Sequence, residues 1–387
     1  MTGLVAVSAA IWLGLLLAWG RFWRADQRLG PASADAPAPE IVAVIPARNE
    51  VGTITAVIEG HLASDYPGRF SVVLVDDNSD DGTAEAARAV TPEEPEGRAL
   101  HIVSAPPLEQ GWTGKLWALH HGVAASVRLA PGARYLLLTD ADIVHAPGTL
   151  HALVAKAEAE GRDLVSLMAR LDARGRWGRL LIPAFVFFFQ KLYPFPKVNE
   201  RNSRIAGAAG GCVLIRQDAL EGIGGVAALR SALIDDCTLA RLVKAGPPKR
   251  AIWLGLADQE VVSLRDNRDL GSIWTMVART AFAQLRHSWW LLAGCVAGMA
   301  LTYLAAPIGL AVGLWRGDLP MALFGAAAWG LMAFAYWPTL RIYGQPWWWA
   351  LSLPAAAALY TAMTIASAWA HAVGRGGAWK GRTYPAS

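Results

Sequence analysis

Asp140 and Asp142 stand two residues apart at the end of an apolar run, Tyr135–Thr139. In an extended segment, residues at that spacing point the same way. Two carboxylates with open positions beside them suit Mg²⁺ or Mn²⁺ carrying diphosphate oxygens. A second acidic pair, Asp76-Asp77, ends an earlier apolar run, Ser71–Val75. Adjacent carboxylates repel unless something neutral or positive meets them. Asp77 could accept from a nucleobase N–H and from ribose hydroxyls. The residues after it, Ser79 to Thr83, suit a turn and a helix start through local backbone hydrogen bonds, with no function required.

Four further clusters have chemical potential. Pro46 ends an apolar run, and Arg48 and Glu50 follow it in a polar turn able to hold a nucleobase. Lys115, after the glycines of Gly111-Trp-Thr-Gly114, opens a helical stretch. A lysine there can neutralise a phosphate beside a helix N-terminus, or simply be solvated. Ala206–Cys212 is a loop of small residues that lets backbone approach a ligand closely, or forms a tight turn. Asp235 and Asp236 precede another helical run. They could cap that helix, or one of them could take a proton from an acceptor hydroxyl.

The elements that position these groups alternate. Strands are expected at Ile41–Ala47, Ser71–Asp76, Leu100–Ser104, Tyr135–Asp140, Leu164–Ala169 and Val213–Arg216. Helical patterns fall at Thr53–Leu62, Gly82–Val90, Lys115–Val127 and Thr149–Glu160. Such alternation predicts an α/β domain with a mostly parallel central sheet. Ligands of such sheets bind at the carboxyl ends of strands, where both acidic clusters lie.

The ends of the chain are different. Of 387 residues 54% are hydrophobic and only 17% charged, too apolar for an ordinary soluble protein. Leu4–Trp19 is uncharged and is followed by Arg21, Arg24 and Arg28, with no cleavage site. That pattern predicts an uncleaved transmembrane anchor over residues 1–20 and a catalytic domain on the cytoplasmic side. A Pro/Ala-rich linker occupies 21–40, the α/β domain 41–287, and three membrane-spanning or membrane-embedded helices 288–374. A basic tail, 375–387, carries Arg375, Lys380 and Arg382. Those charges favour the cytoplasmic side, whereas three spans would leave the tail outside; a re-entrant Ser288–Trp315 segment would resolve this. Leu180–Pro196 is apolar but broken by Pro183, Gln190 and Lys191. It is either a buried core helix or a segment lying on the bilayer. Three cysteines without ligand spacing give neither a disulfide framework nor a metal site. A net charge of +4, with no basic block interleaved with aromatics, gives no case for nucleic acid.

The Pro46–Glu50 turn, the VDDNSDDGT and TDAD motifs, the glycine-rich loop and the Asp235-Asp236 pair occur in the order that characterises inverting family 2 glycosyltransferases of GT-A fold, and together they resemble that family. The resemblance implies that Asp77 binds the nucleoside and that Asp140 and Asp142 manage a divalent metal and the diphosphate. Asp236 matches the catalytic-base position, with Asp235 beside it. Arg279, in Trp274–Thr280, is the candidate for the arginine of a downstream Gln-x-x-Arg-Trp motif whose Gln and Trp are missing here, which argues against processive synthesis. The segments GWTGKLWAL, LLIPAFVFFFQKLYPF, GGCVLIRQDAL and ALIDDCTLARLVK are similar to the hopene-associated glycosyltransferases. The family resemblance implies a nucleotide-sugar donor, UDP by family habit, and a dedicated base at Asp236 favours a lipid hydroxyl over an acceptor phosphate, which is already ionised. The likeness to the hopene-associated enzymes implies hopanoid metabolism at a bacterial inner membrane. Other readings are a polyprenyl-phosphate or glycolipid sugar transferase, and a membrane scaffold that binds nucleotide sugar or lipid.

Overall fold

Valine, isoleucine and leucine dominate the short strands, and residues so apolar on both faces must be covered on both sides. In the computed structural model, which describes residues 1–33, 35–90 and 98–374, they are, save for the half-exposed edge strand at Arg98–Ser104. The strands are β1 (Ile41–Ala47), β2 (Phe70–Asp76), β3 (Arg98–Ser104), β4 (Tyr135–Thr139), β5 (Ile143–His145), β6 (Leu164–Met168), β7 (Cys212–Arg216), β8 (Ile252–Leu256) and β9 (Val261–Ser263). Seven form the central sheet in the order β3-β2-β1-β4-β7-β6-β8, while β5 and β9 pair separately. Each expected strand is present. Strands β5, β8 and β9 were not anticipated, β5 and β9 being only three residues long.

Pairing explains why distant motifs meet. Strands β1 and β2 run parallel with Ala47 opposite Asp76, so the Arg48 turn lies level with the first acidic pair. Strand β4 is also parallel to β1. Strand β7 is antiparallel to β4, with Thr139 opposite Cys212. That reversal brings the glycine loop at the start of β7 to the end of β4, beside Asp140. The antiparallel β5–β9 pair sets Ile143 opposite Ser263 and carries Arg265 toward Asp142.

Three described helices are long and apolar enough to cross a membrane: Trp289–Arg316, Leu319–Ile342 and Trp347–Ala372. A π-helical turn at Ala300–Leu304 interrupts the first. The Trp12 indole, fully buried in the N-terminal helix Thr2–Ala18, donates to the Thr302 carbonyl in that turn at 2.7 Å. At 17 residues the N-terminal helix is shorter than the other three. The segment after it is packed: Phe22 is buried against Phe187, and the Leu256 amide donates to the Gln27 carbonyl at 2.8 Å. The apolar Leu180–Pro196 stretch belongs mainly to the helix Gly175–Leu192. Its Leu181, Ile182 and Phe187 are fully buried, with Phe187 edge-on to Tyr336. It is a core helix joining the two halves of the molecule, not a segment laid on a surface. The basic tail with Arg375, Lys380 and Arg382 lies outside the described residues.

Candidate active site

The loops after β1 and β2 are knitted to each other. Arg48 donates to the Asp77 carbonyl and, at 3.0 Å, to the Asn78 carbonyl. The Asn49 amide donates to Ser79 Oγ at 3.0 Å, and the Val51 amide to Asp81 Oδ2 at 3.0 Å. The Glu50 amide donates to Thr83 Oγ1 at 2.8 Å. Ser79 to Thr83 are therefore structural residues, as turn chemistry alone predicts. Asp77 is fully buried, and its amide donates to the Ala47 carbonyl at 2.8 Å. Asn49 and Asn78 take left-handed backbone conformations, which asparagine tolerates better than most residues.

Lys115 lies in the first turn of the Gly114–Leu129 helix, behind the Thr113 cap. Its Nζ is 2.8 Å from Asp140 Oδ1 and 3.2 Å from Asp235 Oδ2. Burial works against its charge, but the Asp140 and Asp235 carboxylates outweigh burial and hold its pKa above the ordinary lysine value. This lysine is not simply solvated. It joins the β4 end to the first turn of the Asp235–Ala245 helix.

Asp235 and Asp236 both lie in that first turn, and neither caps it by a side-chain bond across the turn. Asp236 instead accepts the Gly210 amide on Oδ2 at 2.9 Å and the Cys237 amide on Oδ1 at 2.7 Å. Burial, then the neighbouring Asp235, push its pKa up to about 6, against the opposing pull of Lys115 and the two amides. Burial likewise raises Asp140, where Lys115 opposes it and Asp142 adds to it. A small cavity of about 30 Å³ touches Pro46, Lys115, Asp140, Gly210, Asp235 and Asp236 together.

Asp142 is buried and held from the β9 side. Its Oδ2 lies 3.3 Å from Ser263 Oγ and 3.3 Å from Arg265 Nε. Arg279 lies within electrostatic reach of Asp140, Asp235 and Asp142. Sequence reasoning missed Ser263 and Arg265; the charged run directly after the apolar Val261–Ser263 was the available signal. It also missed the buried His61–His145 pair, whose rings are 4.7 Å apart beneath the site. His145 Nε2 lies 3.1 Å from Thr139 Oγ1, and that hydroxyl donates to the Gly211 carbonyl at 2.8 Å. Burial lowers the pKa of both histidines, His61 to about 4, so the pair is neutral support for the β4 end. No cluster of three or more His, Cys, Asp or Glu able to hold a metal occurs among the described residues. Asp140 and Asp142 could offer oxygen to a divalent ion only alongside ligands from a bound molecule or water.

The chain is similar to known structures. The mannosyltransferase PcManGT from Pyrobaculum calidifontis, in complex with GDP-Man and Mn2+, matches 94% of this chain and 99% of its own at 19% identity, with a TM-score of 0.56. At that identity the likeness speaks to the fold. The glucosyl-3-phosphoglycerate synthase of Mycobacterium tuberculosis, in complex with Mn2+ and UDP-Glc, matches 64% of this chain and 78% of its own at 22% identity and a TM-score of 0.40. No curated protein matches by sequence. Residues 42–224 match the family model for glycosyl transferase family 2. Nearly all of strands β1 to β7, the knitted loops after β1 and β2 and the Asp140-x-Asp142 pair lie inside that span; the fold is α/β with a mostly parallel, GT-A-like sheet, and the chain is a glycosyltransferase.

Proposed function

We propose that this enzyme transfers a sugar with inversion from a nucleotide-diphosphate sugar to a hydroxyl of a membrane lipid. The observation that carries the reading is the Lys115 bridge from Asp140 to Asp235, beside an Asp236 oriented by the Gly210 and Cys237 amides. On this reading the carboxyl end of the central strand β4 meets a diphosphate-side group, a cation and a base. In a single displacement the acceptor oxygen attacks the anomeric carbon and the bond to the diphosphate breaks. The acceptor proton passes to Asp236. Lys115 and Arg279 offset the charge that develops on the leaving diphosphate. Asp140 and Asp142 would hold Mg²⁺ or Mn²⁺, which supplies further charge neutralisation when bound. Arg48, Glu50, Pro46 and Asp77 form the nucleoside end.

The donor base follows from family habit as uridine, while PcManGT was solved with GDP-Man, so both belong in the test. Three helices of spanning length beside the domain support a lipid acceptor and a membrane location. We place the domain at the cytoplasmic face of a bacterial inner membrane, from the arginines after the first helix, and the acceptor in hopanoid metabolism, from the resemblance of the GWTGKLWAL and ALIDDCTLARLVK segments. The experiment incubates membranes holding the protein with labelled UDP- and GDP-sugars, Mg²⁺ or Mn²⁺ and hopanoid-containing lipid extract, beside Asp236→Asn. Label entering organic-soluble lipid with the active protein alone supports the reading. A folded, nucleotide-binding protein that labels no lipid with any donor would overturn it.

A further inference from the structure

A second, far larger cavity, about 960 Å³, opens beside the first turn of the Asp235–Ala245 helix. Ile234 and Cys237, which bracket the acidic pair, form part of its wall. On the far side Ser367 and His371 come from the last apolar helix, Trp347–Ala372. The cavity therefore reaches from the helix turn that carries the acidic pair to a helix long enough to cross a membrane.

Its charge is one-sided. Arg204, Arg241, Arg279 and Arg286 line it, and no Asp or Glu does among the described residues. Arg279 lies within reach of the acids of the donor side. Arg204, Arg241 and Arg286 make no ion pair among the described residues. They come from three separate segments: the loop after Phe195–Asn199, the Asp235–Ala245 helix, and the turn before Trp289, where Arg286 takes a left-handed conformation. Guanidinium groups stay charged at any physiological pH, and their planar forks match phosphate oxygens two at a time. All three are exposed, so an anion entering the cavity would meet charged guanidinium groups that carry no carboxylate partner among the described residues. Leu192, Ile205 and Phe282 supply apolar wall next to them.

We infer that this cavity binds the acceptor as an anionic amphiphile, with a headgroup phosphate held by Arg204, Arg241 and Arg286 and a hydroxyl of the same headgroup presented to Asp236. The inference rests on the lipid glycosyltransferase reading and narrows its substrate class. The phosphate is a handle and is not consumed. The hydroxyl oxygen forms the new bond to the anomeric carbon, its proton goes to Asp236, and the nucleotide diphosphate leaves with the bonding pair.

The test uses the full chain in neutral detergent and three probes: a short-chain phosphatidylglycerol (phosphate and hydroxyls), a monoacylglycerol (hydroxyls only) and dodecyl phosphate (phosphate only). Both anionic probes should bind at least about tenfold more tightly than the monoacylglycerol, the scale of charge-assisted hydrogen bonds. Arg204→Gln, Arg241→Gln and Arg286→Gln should each erase most of that preference, while Arg88→Gln, on a distant exposed helix, should not. Nucleotide diphosphate affinity should stay the same in all of them. Binding that ignores the charge of the probe overturns the proposal, as do Gln variants that weaken nucleotide instead. Sugar transfer to dodecyl phosphate, persisting in Asp236→Asn, would make phosphate the nucleophile and overturn the hydroxyl assignment. Failure of the wild-type chain to bind any nucleotide diphosphate would instead sink the glycosyl-transfer reading itself.

Discussion

Lys115 Nζ lies 2.8 Å from Asp140 Oδ1, and the same nitrogen reaches Asp235 Oδ2 at 3.2 Å. One cation thus bridges the end of β4 and the first turn of the Asp235–Ala245 helix. Replacing it by methionine leaves those carboxylates without their nearest counter-charge. Lys115→Met should lower kcat/KM by about 10²–10³-fold, the scale of losing one preorganised electrostatic group. Because Lys115 also draws the Asp236 pKa down, the acid limb of the pH profile should move to higher pH in the variant. An unchanged limb would mean that Lys115 and Asp236 are not coupled.

Asp236→Asn should cost about 10²–10⁴-fold in turnover, as expected for removal of a general base. In the wild type, activity should rise with pH through about 6, where burial and Asp235 place the Asp236 titration. Stability should run the other way. The folded pKa is raised above the ordinary aspartate value, so the folded state binds this proton more tightly than the unfolded chain. The stabilisation from that proton is present at low pH and is lost as pH rises through about 6. Above that pH, Asp236→Asn should therefore melt no lower than the wild type, which thermal unfolding at pH 5 and pH 8 would check.

Helix placement can be tested at Gly122. It faces the sheet on the helix that carries Lys115, and an added Cβ would meet Val44 Cγ1 at 2.4 Å and Val75 Cγ2 at 2.7 Å. Alanine gains about 1 kcal/mol of helix propensity. Overpacking of this kind costs about 1–3 kcal/mol, and contacts this short force the valines or the helix to move. Gly122→Ala should lower the unfolding temperature and weaken turnover by lifting Lys115 away from Asp140. A variant as stable and as active as the wild type would show that the helix can shift at no cost.

The motifs were legible because each is local: apolar runs mark strands, and the polar residues that follow must emerge at strand ends. The knitted turn from Ser79 to Thr83 was legible for the same reason. What was not legible depends on pairing between distant segments. Nothing near Gly210 announces that its amide meets Asp236, because that contact follows from β7 running antiparallel to β4. Arg265 reaches Asp142 through a β5–β9 pair three residues long, too short to leave a periodic signal. The arginines of the large cavity come from separate segments and come to line one cavity only in the folded chain. The Leu180–Pro196 helix was ambiguous by composition, since a helix buried between two halves and one lying in lipid are both apolar; burial of Phe187 decides between them.

The aspartates of Asp140-x-Asp142 should behave differently on substitution, because their surroundings differ. Asp140 faces Lys115 at the cavity shared with Asp236, whereas Asp142 is buried and tied to Ser263 and Arg265. Asp140→Asn leaves a neutral oxygen donor in place, yet Lys115 loses its nearer partner and is free to draw toward Asp235. Asp142→Asn leaves Arg265 without its carboxylate at the β5–β9 pair, so part of its effect should be structural. If both hold a divalent ion with the donor diphosphate, both variants should need roughly tenfold or more Mn²⁺ for half-maximal nucleotide-sugar binding, since such ions rest on one or two carboxylates plus phosphate oxygens. Only Asp142→Asn should also lower the unfolding temperature in the absence of metal and nucleotide. Calorimetric titration of nucleotide sugar across a Mn²⁺ series, with chelator as the zero point, separates the two effects. Donor binding that is indifferent to Mn²⁺ in the wild type would remove the metal from this site and leave Lys115 and Arg279 as the charges that meet the diphosphate.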